Sequence, residues 1–406
     1  MTANEPITIV GAGHAGLQLA ASLRQLGSDD PIVLVNNEPH LPYQRPPLSK
    51  AFLQGTADPE TVSFRSQSFF RDQRINLVDD EVIAIDRFAR KAIFQSGHSL
   101  TYRHLVIATG ARNRVLQMPN ADHDDVHYLR TLADSETIRG RLAKVKRVIV
   151  IGAGFIGLEF ASTAAQMGID VDIIELAPRI MARVVSPTVS AYFQKRHEAA
   201  GCRVHCGRAV AAIETANGRL QGVLLDDGRM LAADLIVVGI GVVPNVELAL
   251  EAGLPSEEGI AVDEHLATLD PNISAIGDCA RFSSPRYPSA VRLESVANAT
   301  DQAKCLAARL TGLPKPFESV AWFWSDQGSD KLQIAGFFER HDEAVVRGDP
   351  DQNSFSVFFY GQGKLLGVES VNRSGDHMAA RRLLAAGVTV CPSHAANPSF
   401  ELKNAL

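Results

Sequence analysis

Residues 147–176 read RVIVIGAGFIGLEFASTAAQMGIDVDIIEL, and this stretch decides the fold. Val148-Ile149-Val150-Ile151 is an apolar run without alternation, the mark of a parallel strand covered on both faces. It runs into Gly152, Gly154 and Gly157, then into apolar residues at helical spacing, then into a second apolar strand. The start of the chain repeats the design: ITIV at 7–10, Gly11, Gly13 and Gly16 in GAGHAG, LQLAASLRQLG, and PIVLV at 31–35. In such a loop the first glycine permits the tight turn, the second lets the backbone approach a pyrophosphate, and the third lets helix and strand pack closely. Phosphates then meet N–H groups at the helix start, with His14 and Ala15 in the first loop and Phe155 and Ile156 in the second as their neighbours. Two copies, each following a strand and opening a helix, imply two dinucleotides.

The residue ending the second strand of each unit selects the dinucleotide, because a carboxylate there accepts bonds from a ribose 2′-hydroxyl and repels a 2′-phosphate. In the second unit it is Glu175, 23 positions after Gly152, which favours NADH over NADPH. Arg179 and Arg183 follow closely and could hold a 2′-phosphate. In the first unit the equivalent place is Asn36 or Asn37, whose amides can still bond a ribose. LVIATGAR at 105–112, DLIVVGIGVVPN at 234–245 and ISAIGDCARF at 273–282 each carry an apolar strand into glycine, the kind of end that lines a cofactor crevice. Ala108-Thr109-Gly110 and Ile276-Gly277-Asp278 resemble the contacts that flavin proteins add to a first strand–helix–strand unit. The Asp278 carboxylate suits a ribityl hydroxyl.

With 406 residues, 46% hydrophobic and 21% charged, the chain is a soluble multidomain protein able to bury a large core. Its net charge of −6 provides no bulk positive field to draw it to nucleic acid or anionic lipid. Five scattered cysteines (Cys202, Cys206, Cys279, Cys305, Cys391) include no CxxC, so a disulfide framework is not expected and a reducing, cytosolic setting is. The CRVHC run alternates like a strand, which argues against a metal or redox role for its two thiols. No basic-plus-apolar leader and no apolar run of about 18 residues is present, so no membrane segment is expected. His123 and His127 have HxxxH spacing, but the run VHYLR alternates like a strand, so the two would not share a helix face and no metal is expected. From about Phe317 the texture becomes aromatic and alternating, with a closing helix around MAARRLLAAG and a final stretch, PSHAANPSFELKNAL, that reads as a loosely held tail.

Together with PYQRPPLSK at 42–50, RTL at 130–132, ESVAN at 294–298 and WFWSDQ at 322–327, the twin fingerprints make the chain resemble the FAD-dependent ferredoxin reductases that serve bacterial haem-thiolate monooxygenases and Rieske dioxygenases. The resemblance implies a glutathione-reductase-like α/β fold. Residues 1–110 and 237–316 would form a split FAD domain, 111–236 an NAD domain and 317–406 a carboxy-terminal αβ domain. FAD would contact Gly11 to Gly16, Asn36, Asn37, Arg45, Lys50, Val82, Ala108 to Gly110, Arg130, Gly277, Asp278, Glu294, Ser295 and Val296. NADH would contact Gly152 to Gly157, Glu159, Glu175, Arg183 and Gly241. Asn36 and Asn37 depart from the acid that relatives commonly carry.

Disulfide reductases of this fold place a cysteine pair beneath the flavin; here no thiol occurs before Cys202. Electrons must therefore leave singly or go to oxygen. The resemblance implies that Lys50, held by Pro46-Pro47, stabilises the anionic reduced ring, that Glu159 pairs with it and bonds the nicotinamide carboxamide, and that Trp324 shields the flavin and borders the acceptor. The expected acceptor is a [2Fe-2S] ferredoxin, usually acidic, for which Arg65, Lys304, Lys331 and Arg381 are candidate docking cations. The alternatives are a rubredoxin reductase or NADH oxidase on the same scaffold, and a flavin-bearing interaction protein similar to apoptosis-inducing factor, which the acidic total disfavours.

Overall fold

A computed structural model describes residues 5–287 and 289–405. Contacts divide the chain into two units: Met1–Gln44, Pro59–Arg112 and Val243–Ala321 form one, and Arg45–Asp58, Asn113–Val242 and Trp322–Leu406 form the other. Among the described residues no helix is long and apolar enough to cross a membrane.

The first unit is built on a five-stranded parallel sheet in the order Ile273–Ala275, His104–Ile107, Ile7–Val10, Ile32–Asn36, Ile75–Asp79. The central strands are buried along their whole length, which is why their sequences show no alternation. The helix His14–Gln25 packs on Val296–Leu310 over this sheet. A small antiparallel sheet of Val82–Asp86, Lys91–Phe94 and Ser99–Thr101 accompanies it.

The second unit contains a matching parallel sheet in the order Arg203–Cys206, Asp170–Glu175, Arg147–Ile151, Leu235–Val238, Val126–Tyr128. His127 thus lies in an edge strand and His123 in the turn before it, so they share no helix face. A five-stranded antiparallel sheet of the same unit runs in the order Trp322–Gln327, Asp330–Gly336, Lys364–Val371, Ser354–Gly361, Glu343–Asp349. FSVFFYGQGKLLGVESV is a single hairpin turning at Gln362-Gly363, both with positive φ (50° and 72°). That pair of conformations matches the twist of the strands it joins. The helix Ser374–Ala386 covers one face of this sheet through Val368, Ala380 and Leu383.

The end of the chain corrects one expectation. The segment read as a loose tail is held by Arg347, 4% exposed, whose guanidinium donates to the carbonyls of Ala395, Asn397, Pro398 and Phe400. Val390 and Leu402 are buried alongside. A polar stretch reads as free when its partner lies some fifty residues upstream.

Candidate functional site

In the first unit, Gly11 has φ of +107°, and a Cβ on it would stand 2.4 Å from the Ala108 carbonyl oxygen. A Cβ on Gly16 would stand 1.9 Å from the oxygen of Gly11, whereas one on Gly13 would meet nothing within 4 Å. Two glycines therefore allow backbone to meet backbone, and the third leaves the helix start open. No side chain caps the helix His14–Gln25 and no acid occupies its first turn, so its N–H groups suit an anionic ligand. Ala108 is the strand end against which Gly11 packs, and Thr109 and Asn245 bond each other reciprocally at 2.7 and 2.9 Å.

Gly277, at φ +80°, lies over Ala15, and its N–H donates to Gln302 Oε1 at 2.7 Å. Asp278 follows in the same short turn. Ser295 caps the helix Val296–Leu310 by accepting from Asn298 N, and Glu294 pairs with Arg292 at 2.7 Å. On this helix the buried amide atoms Asn298 Oδ1 and Gln302 Nε2 have no partner among the described residues. Such atoms carry a desolvation cost unless a bound polar group or water meets them. Open loop, uncapped helix start and unpaired amides together fit a dinucleotide such as FAD.

Asn36 is buried, and its amide donates to the carbonyls of Glu38 (2.7 Å) and His40 (2.9 Å). Its donor group shapes the 36–40 turn, which leaves the exposed Asn37 as the amide accessible to a ribose. Val82 is a core residue of its strand.

The second loop reproduces the first. A Cβ on Gly152 (φ +101°) would stand 2.4 Å from Gly239 O, one on Gly157 2.2 Å from Gly152 O, and one on Gly154 would meet only Gly239 O at 4.0 Å. The helix Phe155–Gln166 likewise starts without a capping side chain or an acid in its first turn. Glu175 stands at the strand end with Oε2 accepting from Ala153 N (2.7 Å) and Oε1 from Ala177 N (2.8 Å). Each oxygen keeps acceptor capacity for ribose hydroxyls. Arg183 approaches Gly241, its Nη2 3.8 Å from where a Cβ there would be. Arg179 is already engaged: its guanidinium donates to Val185 O and Ala182 O, both at 2.8 Å, so it braces its own loop.

Lys50 and Glu159 belong to this second unit and meet at 2.5 Å. Glu159 projects from the helix Phe155–Gln166, with its side chain 8% exposed against 22% for Lys50. Its carboxylate has two further donors that sequence reading missed: Ser49 Oγ to Oε2 at 2.6 Å and Ser325 Oγ to Oε1 at 2.7 Å. The backbone around Lys50 is pinned by Ser135 Oγ on Leu48 O (2.8 Å) and Thr163 Oγ1 on Ser49 O (2.9 Å). Pro46-Pro47 open the short 3-10 turn that delivers Lys50. A buried carboxylate with three donors, two on Oε2 and one on Oε1, is held in one geometry and keeps an acceptor position on Oε1. Arg45 donates to the carbonyl of Arg130 at 2.6 Å, and Arg130 adjoins the capping box of Thr131 and Asp134, which accounts for the RTL motif.

Trp324 stacks on Trp322 with centroids 5.5 Å apart, and Arg381 lies 4.3 Å over Trp322. Phe323, on the same strand, packs on Phe155 of the second glycine loop at 4.4 Å. Of the other candidate cations, Lys331 pairs with Asp326 at 3.2 Å, Arg65 lies over Phe69, and Lys304 is exposed. All five cysteines are free thiols; burial pushes the Cys202 thiol up to about 11 and raises Cys279, Cys305 and Cys206 as well. Among the described residues no three metal-ligating side chains gather.

Residues 5–303 match the pyridine nucleotide-disulphide oxidoreductase family and residues 322–406 the reductase C-terminal family. The chain is 48% identical to rhodocoxin reductase of Rhodococcus erythropolis over 401 residues, covering 98% of this chain and 94% of that one. It superposes on the ferredoxin reductase for the CYP199A2 system from Rhodopseudomonas palustris with a TM-score of 0.97 at 55% identity, over 99% and 100% of the two chains. A covalent putidaredoxin reductase–putidaredoxin complex matches with a TM-score of 0.96 at 39% identity, over 100% of this chain and 98% of that one.

Proposed function

Because the chain belongs to the pyridine nucleotide-disulphide oxidoreductases and, among them, to the FAD-dependent ferredoxin reductases, we propose that it passes electrons from NADH to a [2Fe-2S] ferredoxin that supplies a haem-thiolate monooxygenase. The observation that carries this reading is a missing group. Two dinucleotide loops are present, yet no cysteine occurs before Cys202 to act as a disulfide relay. The reaction balances as NADH plus two oxidised ferredoxins giving NAD⁺, two reduced ferredoxins and one proton.

When bound, FAD supplies the conversion of a two-electron hydride into two single electrons. The protein's share is to bind and orient. The Gly11–Gly16 loop and the start of Val296–Leu310 would hold the flavin nucleotide, with Asp278 on a hydroxyl. The Gly152–Gly157 loop would hold the NADH pyrophosphate, and Glu175 the adenosine ribose. Glu159 would accept from the carboxamide and so orient the nicotinamide, and the Lys50 ammonium would offer positive charge to the flavin. Trp324 and Trp322 would present an aromatic surface to the acceptor. The free thiols and small cysteine number support a cytoplasmic setting.

The test is NADH-driven turnover with a panel of ferredoxins and rubredoxins. A [2Fe-2S] ferredoxin is expected to be the best acceptor, and raising salt from about 0.05 to 0.5 M should depress its turnover several-fold through screening while NADH–dye reduction stays constant. Trp324→Ala should lower ferredoxin turnover more than dye reduction; equal losses would argue against an acceptor-side role. A preference for rubredoxin would overturn the acceptor assignment.

A further inference from the structure

The 176–186 loop connects Glu175 to the helix Pro187–Ala199 and is tied to the second glycine loop, since Met181 N donates to Ala153 O at 2.9 Å. Ala153 is also the residue whose N–H holds Glu175. The loop carries Arg183, is braced by Arg179, and turns through Met181 at φ 49°, a conformation that a non-glycine residue keeps only when its surroundings impose it. Its far end is Ser186, the N-cap of the helix. There the main-chain N–H donates to Glu369 Oε1 at 2.8 Å and the hydroxyl to Glu369 Oε2 at 2.5 Å.

We propose that Glu369, from the carboxy-terminal sheet, is a positioning residue for NADH, holding the 176–186 loop in the shape that presents Glu175 and Arg183 to the adenosine half of the nucleotide. It rests on the reading of the second glycine loop as the NADH site. Glu369 is fully buried, and both carboxylate oxygens go to one residue. A buried carboxylate is a costly way to anchor a loop for stability alone, since a neutral isostere fills the same space without desolvating a charge.

The cross-strand neighbours of Glu369 are Ile334 and Val357. Arg179 is the cation acting on it from the loop. On the helix Pro187–Ala199, Lys195, Arg196, His197 and Glu198 lie more than two turns beyond Ser186, and on the strand Asp330–Gly336, Asp330 and Lys331 lie at the far end. Asp376 and Arg347 meet the opposite face, where Ser370 bonds Ser356. Burial outweighs the two Ser186 bonds and Arg179 and pushes the Glu369 carboxyl up to about 7.

With its folded value raised, Glu369 contributes stability below the ordinary carboxylate range and loses it as pH rises through about 7. Its ionised form accepts both Ser186 donors, so nucleotide affinity should move the other way and fall on acidification through the same window. Affinity and stability are thus opposed, which a merely structural role would not produce.

Glu369→Gln in the FAD-loaded protein is the test. At about pH 8 its melting temperature should equal or exceed that of the parent, while the KM for NADH and the Kd of ADP-ribose by calorimetry rise about fivefold with kcat little changed. In the parent both constants should rise between about pH 8 and pH 6, and in Glu369→Gln they should be flat. Ser186→Ala, which leaves Glu369 one donor, should also weaken ADP-ribose binding. A lowered melting temperature with unchanged ADP-ribose affinity would overturn the proposal. Glu175→Ala separates the two readings: if it leaves ADP-ribose binding intact, the NADH site is misassigned and the proposal falls with it. If it weakens binding and Glu369→Gln does not, only the role of Glu369 falls.

Discussion

Gly157→Ala is expected to give a protein that stays yellow and is no longer bleached by NADH. The added Cβ would stand 2.2 Å from the carbonyl oxygen of Gly152 and 3.2 Å from a methyl of Val150. Neither the loop carbonyl nor the strand can yield without pushing the helix Phe155–Gln166 outward, and that helix carries Glu159. A displacement of about 1 Å in a group that positions a reactant costs on the order of 100-fold in rate. The matching change in the other loop, Gly16→Ala, would bring Cβ to 1.9 Å from Gly11 O. It should give a colourless protein of lower melting temperature, because a ligand that binds only the folded state stabilises it by mass action. Absorbance spectra and anaerobic reduction by NADH and by dithionite distinguish the outcomes: Gly157→Ala should respond to dithionite alone. If Gly16→Ala were yellow and Gly157→Ala colourless, the two nucleotides would have to exchange places.

What the sequence made legible was local. A buried parallel strand, a glycine whose Cβ would strike a carbonyl, and an acid at the next strand end all leave their mark within about 30 residues, so both strand–glycine–helix turns and the place of Glu175 at a strand end could be read directly. The residues that hold the site together are distant in sequence. Ser49 and Ser325 reach Glu159 across 110 and 166 positions, and Ser186 reaches Glu369 across 183. Nothing in the periodicity of either segment marks such a pair. Local reading also lent some side chains a freedom they lack: the Asn36 amide serves its own turn and the Arg179 guanidinium its own loop. Arg347 shows the same blindness for the chain's end. The carboxy-terminal sheet, recognisable only as an aromatic, alternating region, supplies Ser325 to Glu159 and Glu369 to the 176–186 loop.

Lys50→Met should slow NADH-driven reduction by tenfold or more, about 1.4 kcal/mol on the barrier. The same change strips Glu159 of its cation and leaves a buried carboxylate supported only by the hydroxyls of Ser49 and Ser325. Removing one partner of a buried pair destabilises because the remaining charge is uncompensated, so a melting temperature lower by a few degrees is expected as well. A slow, less stable variant would not by itself separate chemistry from folding. The double variant Lys50→Met/Glu159→Gln does, since it removes the orphaned charge. It should recover the melting temperature and, if the proposed roles hold, remain slow, because neither the proposed cation beside the flavin nor the proposed carboxylate for the carboxamide is restored. Stopped-flow reduction and thermal melts on the same preparations decide between the roles. Recovery of rate together with stability would make Lys50 only an anchor for Glu159, and an unchanged rate in Lys50→Met would remove it from the mechanism.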